Sequence, residues 1–129
     1  MGKTLKLDTI LPASSEEIYN AWLDAEKHGQ MTGHKATGQG GIGEPFTAWD
    51  NYITGKTLEL APNMKIVQSW RTDDFKKNDA DSLVEIYFEQ LAEGCKLKLI
   101  HSNIPENQPD YAEGWRDFYF KPMLEYFSK

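Results

Sequence analysis

The residues with chemistry to offer are three histidines, one cysteine, a few serines and some clustered carboxylates, and their spacing limits what they can do. His101 follows Leu97 and Leu99 at strand period, so it shares their apolar face. Two readings stay open for it. It is a proton donor or ligand contact inside an apolar interior, with a charge adjustable near neutral pH, or a core histidine hydrogen-bonded to a neighbouring backbone group. A metal site needs three or four ligands, yet His28, His34 and His101 fall in separate segments with no H-x-x-x-H pattern and no cysteine pair. Neither a metal nor a cofactor is expected. Cys95 has only Lys96 as a basic neighbour and reads as a small apolar side chain rather than a nucleophile.

Ser69, Ser82 and Ser102 carry no flanking nucleophile signature. Asp73 and Asp74 sit in a polar run, and Glu85 and Glu89 lie on the face opposite Val84, Ile86 and Phe88, so these carboxylates read as solvated. Arg71 offers a guanidinium fork to an anionic ligand or to a loop carboxylate such as Asp73 or Asp74, and the structural ion pair is the expected use. The glycines at 38, 40, 41 and 43 neither follow a strand nor open a helix in the dinucleotide-binding manner. They are expected to form a flexible loop beside a cavity mouth. No catalytic constellation emerges, and a non-enzymatic role is favoured over catalysis.

The aromatic residues are more informative. Phe, Trp and Tyr make up 12% of the chain, a generous supply of rigid apolar surface for 129 residues. Trp49, Trp70, Tyr87, His101, Trp115, Phe118, Tyr119 and Met123 are the candidates for lining a ligand pocket between a sheet and a C-terminal helix.

Strands and helices to position them can be read from periodicity. Residues 4–10 alternate, with Leu5 and Leu7 opposite Lys6 and Asp8, which predicts a half-buried strand. Ser14 and Glu17 have capping-box spacing ahead of Ile18, Ala21 and Trp22, so a short helix runs to about Leu23 and a second piece over 24–30. Short strands follow at 45–49, 52–60 and 65–71, then a solvated hairpin loop over 72–81. Residues 82–91 and 95–101, joined at Glu93-Gly94, form the strongest hairpin. Asn107 or Asp110 caps a long aromatic helix beginning at Tyr111, in which Gly114 lets the helix approach the sheet and Pro122 bends the last turns. The fold class is α+β: a curved antiparallel sheet wrapped around a long C-terminal helix, with a short helix pair after strand one. One domain spans 1–129.

This order resembles the helix-grip fold of the START and birch-allergen (SRPBCC) superfamily. Within it, the chain is similar to the activator of heat-shock protein 90 ATPase homologues (AHSA-like proteins). The residues that carry the likeness are Pro12-Ala13 with Glu17-Ile18-Tyr19 and Trp22, Gly55 with Leu58 and Leu60-Ala61-Pro62, Ile66-Val67 with Trp70-Arg71, Ile104-Pro105, and Gly114-Trp115 with Tyr119-Phe120. The eukaryotic co-chaperone that names the family has an additional N-terminal domain, and this chain resembles only its C-terminal half.

Composition narrows the partners. A net charge of −6 repels phosphate backbones and the lysines form no stripe, so nucleic acid is not expected. No apolar run reaches the roughly 20 residues of a bilayer-spanning helix, so no membrane partner is expected either. A lone cysteine and the absence of a leader pattern after Met1 point to the cytoplasm. The leading expectation is a module holding a small apolar or amphipathic ligand between sheet and helix. The alternatives are a co-chaperone-type domain modulating a heat-shock protein 90 ATPase, which the resemblance implies, and a cavity enzyme using His101.

Overall fold

The computed structural model describes residues 2–38, 41–106 and 108–128. Strand β1 (Lys3–Leu11) leads into helices α1 (Ser15–Leu23) and α2 (Ala25–Thr32). Strands β2 (Pro45–Ala48), β3 (Ile53–Ala61), β4 (Lys65–Thr72), β5 (Ser82–Leu91) and β6 (Gly94–Ile104) follow. The chain closes on a helix of three consecutive segments: α3 (Tyr111–Trp115), a π-helical turn (Arg116–Phe120) and α4 (Lys121–Phe127). All six strands join one antiparallel sheet in the order β1-β6-β5-β4-β3-β2, so β1 closes back on the last strand. Helices cover the inner face of the curved sheet, which is the helix-grip arrangement expected from the sequence.

Local chemistry explains the helix starts. Ser14 and Glu17 form the reciprocal capping box that begins α1, and Asp24 both ends α1 and caps α2 through the Lys27 amide. Gly33, at φ 81°, closes α2 in the left-handed conformation that a glycine adopts without a Cβ clash. Asp110 caps α3 by accepting from Ala112 N–H, whereas Asn107, the alternative cap, lies outside the described residues, as does Gly40. Ile18 and Trp22 of α1 belong to one buried apolar cluster with Ile66, Val84, Ile86, Leu97 and Leu99 of the sheet and Met123 of α4. Each large apolar side chain so buried contributes about 1.5–3 kcal/mol.

Several features depart from the sequence reading. The helix is irregular in the turn just ahead of Pro122, where Lys121 N–H bonds to the Arg116 carbonyl five residues back. Proline has no N–H and its ring would crowd the carbonyl four residues before it, so a widened turn ahead of Pro122 relieves both problems. Gly114 does not bring the helix close to the sheet, because a Cβ built there would meet only the Phe118 ring at 4.0 Å. Arg71 does form the expected ion pair with a carboxylate of the 72–81 loop, meeting Asp81 at 2.7 Å rather than Asp73 or Asp74, and its other nitrogen holds the Lys76 carbonyl at 2.8 Å. The 72–81 loop is thereby tied down, with Phe75 buried beneath the guanidinium. Gly38 packs its backbone against Phe46 beside β2, and neither it nor Gly41 nor Gly43 lines the main cavity.

Candidate functional site

Between the far ends of β3, β4 and β6 and the helix from Tyr111 lies a cavity of about 610 Å³. Its helical wall repeats at Tyr111, Gly114, Trp115 and Phe118, the i, i+3, i+4, i+7 face of a helix. The sheet supplies Ile53, Trp70, Thr72 and His101, and the β2–β3 turn adds Trp49 and Tyr52. Gly114 leaves open the space that a side chain would otherwise fill.

Six of the eight candidate residues line this cavity: Trp49, Trp70, His101, Trp115, Phe118 and Tyr119. Tyr87 does not. It alternates out of phase with Val84, Ile86 and Phe88, so its side chain stands on the opposite face of β5, donating to Glu85 at 2.7 Å beneath the Lys65 ammonium. Met123 lies one helical turn beyond the wall and is wholly buried in the core, away from the cavity. Tyr52, Ile53, Thr72 and Tyr111 belong to the wall without having been singled out. The helical face of Trp115 and Phe118 already pointed to Tyr111, but Tyr52 and Thr72 arrive only through sheet register.

His101 sits at the cavity floor with only 1% of its surface exposed. Trp115 Nε1–H donates to His101 Nδ1 at 3.1 Å. An indole nitrogen can only donate, so Nδ1 is an acceptor and the proton resides on Nε2. Nε2–H then donates to Ser82 Oγ at 2.7 Å, and Ser82 Oγ–H donates to the Trp70 carbonyl at 2.6 Å. Every hydrogen-bonding position of the imidazole is occupied by the protein. Burial pushes its pKa down to about 3, so the ring is neutral at physiological pH and has neither a free lone pair nor an acidic proton to offer.

A second buried pair stands behind the aromatic floor. His28 Nδ1–H donates to the Trp22 carbonyl at 2.8 Å, and Tyr119 O–H donates to His28 Nε2 at 2.8 Å. Burial lowers the His28 pKa, against the Trp22 hydrogen bond, and raises that of Tyr119. Trp22 Nε1–H reaches Gln68, whose amide in turn donates to Thr57. Around these groups Trp70 and Trp115 lie 5.1 Å apart, and Trp115 and Tyr119 5.0 Å apart. At the rim, Tyr52 O–H donates to Asp74; burial first, and then that carboxylate, push the phenol up to about 12. Thr72 Oγ1 shares a hydrogen bond with Tyr111, whose hydroxyl also donates to Gln108 at 2.5 Å.

Trp49 is the exception to this satisfied network. Among the described residues, its Nε1 is the one buried side-chain nitrogen or oxygen without a partner. Trp49, Asp50 and Asn51 also hold φ angles of 51°, 57° and 75°, where a bulky residue is strained. The turn is held from outside by Asp50, which accepts from His34 at 2.7 Å and from Lys35 N–H at 2.9 Å, while the His34 ring stacks on Trp49 at 4.2 Å. Those hydrogen bonds keep the Asp50 carboxyl below its ordinary pKa.

The described residues contain no cluster of three or more His, Cys, Asp or Glu suited to a metal ion, and no helix among them is long and apolar enough to cross a membrane. The cavity walls are chiefly aromatic.

The family model described as activator of Hsp90 ATPase homolog 1-like protein matches residues 12–128. The curated "Activator of 90 kDa heat shock protein ATPase homolog" of Dictyostelium discoideum is 30% identical over 116 residues, covering 88% of this chain and 30% of the relative. The chain spans between a quarter and about a third of the length of the curated relatives it matches. Among solved structures, an HSP90 activator from Plasmodium falciparum superposes with a TM-score of 0.80 at 26% identity, over 95% of this chain and 91% of that one. Ara h 8.0201 superposes with a TM-score of 0.75 at 14% identity, over 99% of both chains, a likeness that shows the fold alone.

Proposed function

The chain belongs to the activator of Hsp90 ATPase homolog 1-like family, and we propose that it is a binding module holding one small, mostly apolar molecule between sheet and C-terminal helix. The observation that carries this reading is the cavity itself. Its volume of about 610 Å³ falls within the range of pockets for small organic ligands, and its walls are chiefly aromatic. A core that needed only to be filled would place a side chain where Gly114 leaves space. Native mass spectrometry of the protein from its own host is expected to show a single added mass. Titration with apolar compounds should quench the wall tryptophans saturably. An unliganded mass together with no saturable quenching across a broad screen would sink the reading.

A second reading follows from the relatives, which are named as activators of the Hsp90 ATPase. In this reading the chain engages a chaperone of that class and alters its turnover. Because it spans only a fraction of those relatives' length, the test is direct: co-precipitation with the host's Hsp90 and an ATPase assay at saturating protein. Unchanged turnover without co-precipitation counts against it. Catalysis through His101 is not proposed, because both ring nitrogens are already engaged.

A further inference from the structure

We infer that the cavity takes an amphipathic cation: an apolar body seated among the aromatic rings, and a protonated amine held at the start of the C-terminal helix, where Asp110, Glu113 and the hydroxyls of Tyr52, Thr72 and Tyr111 line the space. This rests on the binding-module reading and deepens it by naming the ligand's chemistry.

The first support is the sign of the wall's charge. Its charged side chains are Asp110, Glu113 and Asp117, all on the helical side, and among the described residues no lysine or arginine joins them. Asp117 is paired with Lys121 at 3.0 Å, and Asp110 spends one oxygen on the Ala112 amide. Glu113 is exposed, and among the described residues its carboxylate has neither a hydrogen bond nor an ion pair. The helix start brings a partial positive charge of about half a unit to the same turn, and the two full charges of Asp110 and Glu113 outweigh it. His101 is neutral, with both ring nitrogens engaged. A carboxylate or phosphate would enter this wall against like charge, whereas an ammonium enters with it.

The second support is where the hydroxyl protons go. Tyr52 O–H donates to Asp74 and Tyr111 O–H to Gln108, so in the 3.0 Å bond between Thr72 and Tyr111 the threonine is the donor. All three protons are spent within the protein, and lone pairs are what this corner keeps for a ligand. The Asp74 carboxylate behind Tyr52 adds further negative charge. A donor group on the ligand is the one that completes such a corner. Trp115 N–H and Tyr119 O–H are likewise spent, on His101 and His28. The indole N–H groups of Trp49 and Trp70 are the other side-chain donors of the wall; both are neutral, and that of Trp49 is sealed from the surface. The third support is the rings themselves, since seven of the fifteen lining residues are Trp, Tyr or Phe. Their faces attract an ammonium group within about 6 Å, and the same rings hold its hydrocarbon.

Three probes share a diphenylmethane body and differ in the polar end: 4-benzylbenzylammonium, 4-benzylbenzyl alcohol and 4-benzylbenzoate. Benzophenone, neutral and only an acceptor, is the fourth. NMR titrations of ¹⁵N-labelled protein at low ionic strength give each affinity. The wild type is expected to bind the ammonium about three- to tenfold more tightly than the alcohol, and the benzoate more weakly than the alcohol. Added salt should narrow that spread. In Asp110→Asn/Glu113→Gln, where asparagine still caps the helix, the ammonium should lose most of its advantage while the alcohol and benzophenone keep their affinities. An ammonium that binds no more tightly than the alcohol, or an advantage undiminished by the double substitution, overturns the cationic assignment and leaves the cavity reading intact. Tightest binding by 4-benzylbenzoate or by benzophenone does the same. If the variant does not fold, the wild-type order and its salt dependence decide alone. If no probe binds, the binding-module reading fails and takes this one with it.

Discussion

Acid should loosen the fold through His101, by an amount that follows from its burial. In the unfolded chain the imidazole takes up a proton below about pH 6.5, whereas in the native state it does so only near 3. Between those values the unfolded state binds more protons, so the stability His101 contributes is complete above 6.5 and declines as the pH falls. At pH 5, one and a half pH units into that window at about 1.4 kcal/mol each, the loss is about 2 kcal/mol. That is a substantial share of the 5–15 kcal/mol typical of a domain. His28, also lowered by burial, acts in the same direction. The share of His101 is isolated by His101→Gln, whose amide oxygen can accept from Trp115 and whose NH₂ can donate to Ser82 without titrating. Urea denaturation should show the variant about 1–3 kcal/mol less stable at pH 7.5, with the gap narrowing by about 2 kcal/mol at pH 5. The ring protons of His101 should show no titration above pH 5 by NMR. A gap that stays constant with pH, or a ring that titrates near 6.5, would refute the neutral, buried imidazole.

Other perturbations test separate parts of the site. Ser82→Ala removes the acceptor of His101 Nε2–H and the donor to the Trp70 carbonyl, so chemical denaturation should show a loss of about 1–3 kcal/mol; no loss would remove the relay from the account. Gly114→Ala should raise helix stability by up to about 1 kcal/mol, since the new methyl meets Phe118 at an ordinary contact distance. Gly114→Leu should fold yet weaken benzophenone binding at least about tenfold by filling the space, and undiminished affinity would mean the ligand lies elsewhere. Cys95 is fully buried and accepts from Ser15 Oγ at 3.2 Å, so a thiol reagent should label native protein at least about a thousandfold more slowly than urea-unfolded protein.

Much of the architecture was readable from neighbouring residues. The alternation of Val84, Ile86 and Phe88 against Glu85 and Glu89 predicts β5 to the residue, because side chains on a strand change face at every step. Ser14 and Glu17 announce α1 because a capping box is closed within three residues. The same local rule exposes Tyr87 as misassigned, since it is out of phase with its buried neighbours. Longer-range features left weaker traces. Nothing local distinguishes Trp49 from the end of an ordinary strand, and its left-handed backbone is imposed by His34 and Lys35 acting through Asp50. The ion pair of Arg71 with the 72–81 loop was legible, but which of its carboxylates is taken, Asp81, depends on how the loop folds back.

The sequence alone determined the order of strands and helices, the buried faces and the family likeness, because these depend on backbone periods that repeat within a few residues. Tertiary structure decided the chemistry of the interior. His101 is neutral because burial disfavours its charge, and its two nitrogens are occupied by an indole fourteen residues away and a serine nineteen residues away. The cavity exists because helix and sheet, each periodic by itself, meet at Gly114 without enough side-chain volume to fill the space between them. Pattern records which way a residue faces; the unfilled volume and the unmet hydrogen bond of Trp49 depend on everything packed opposite it.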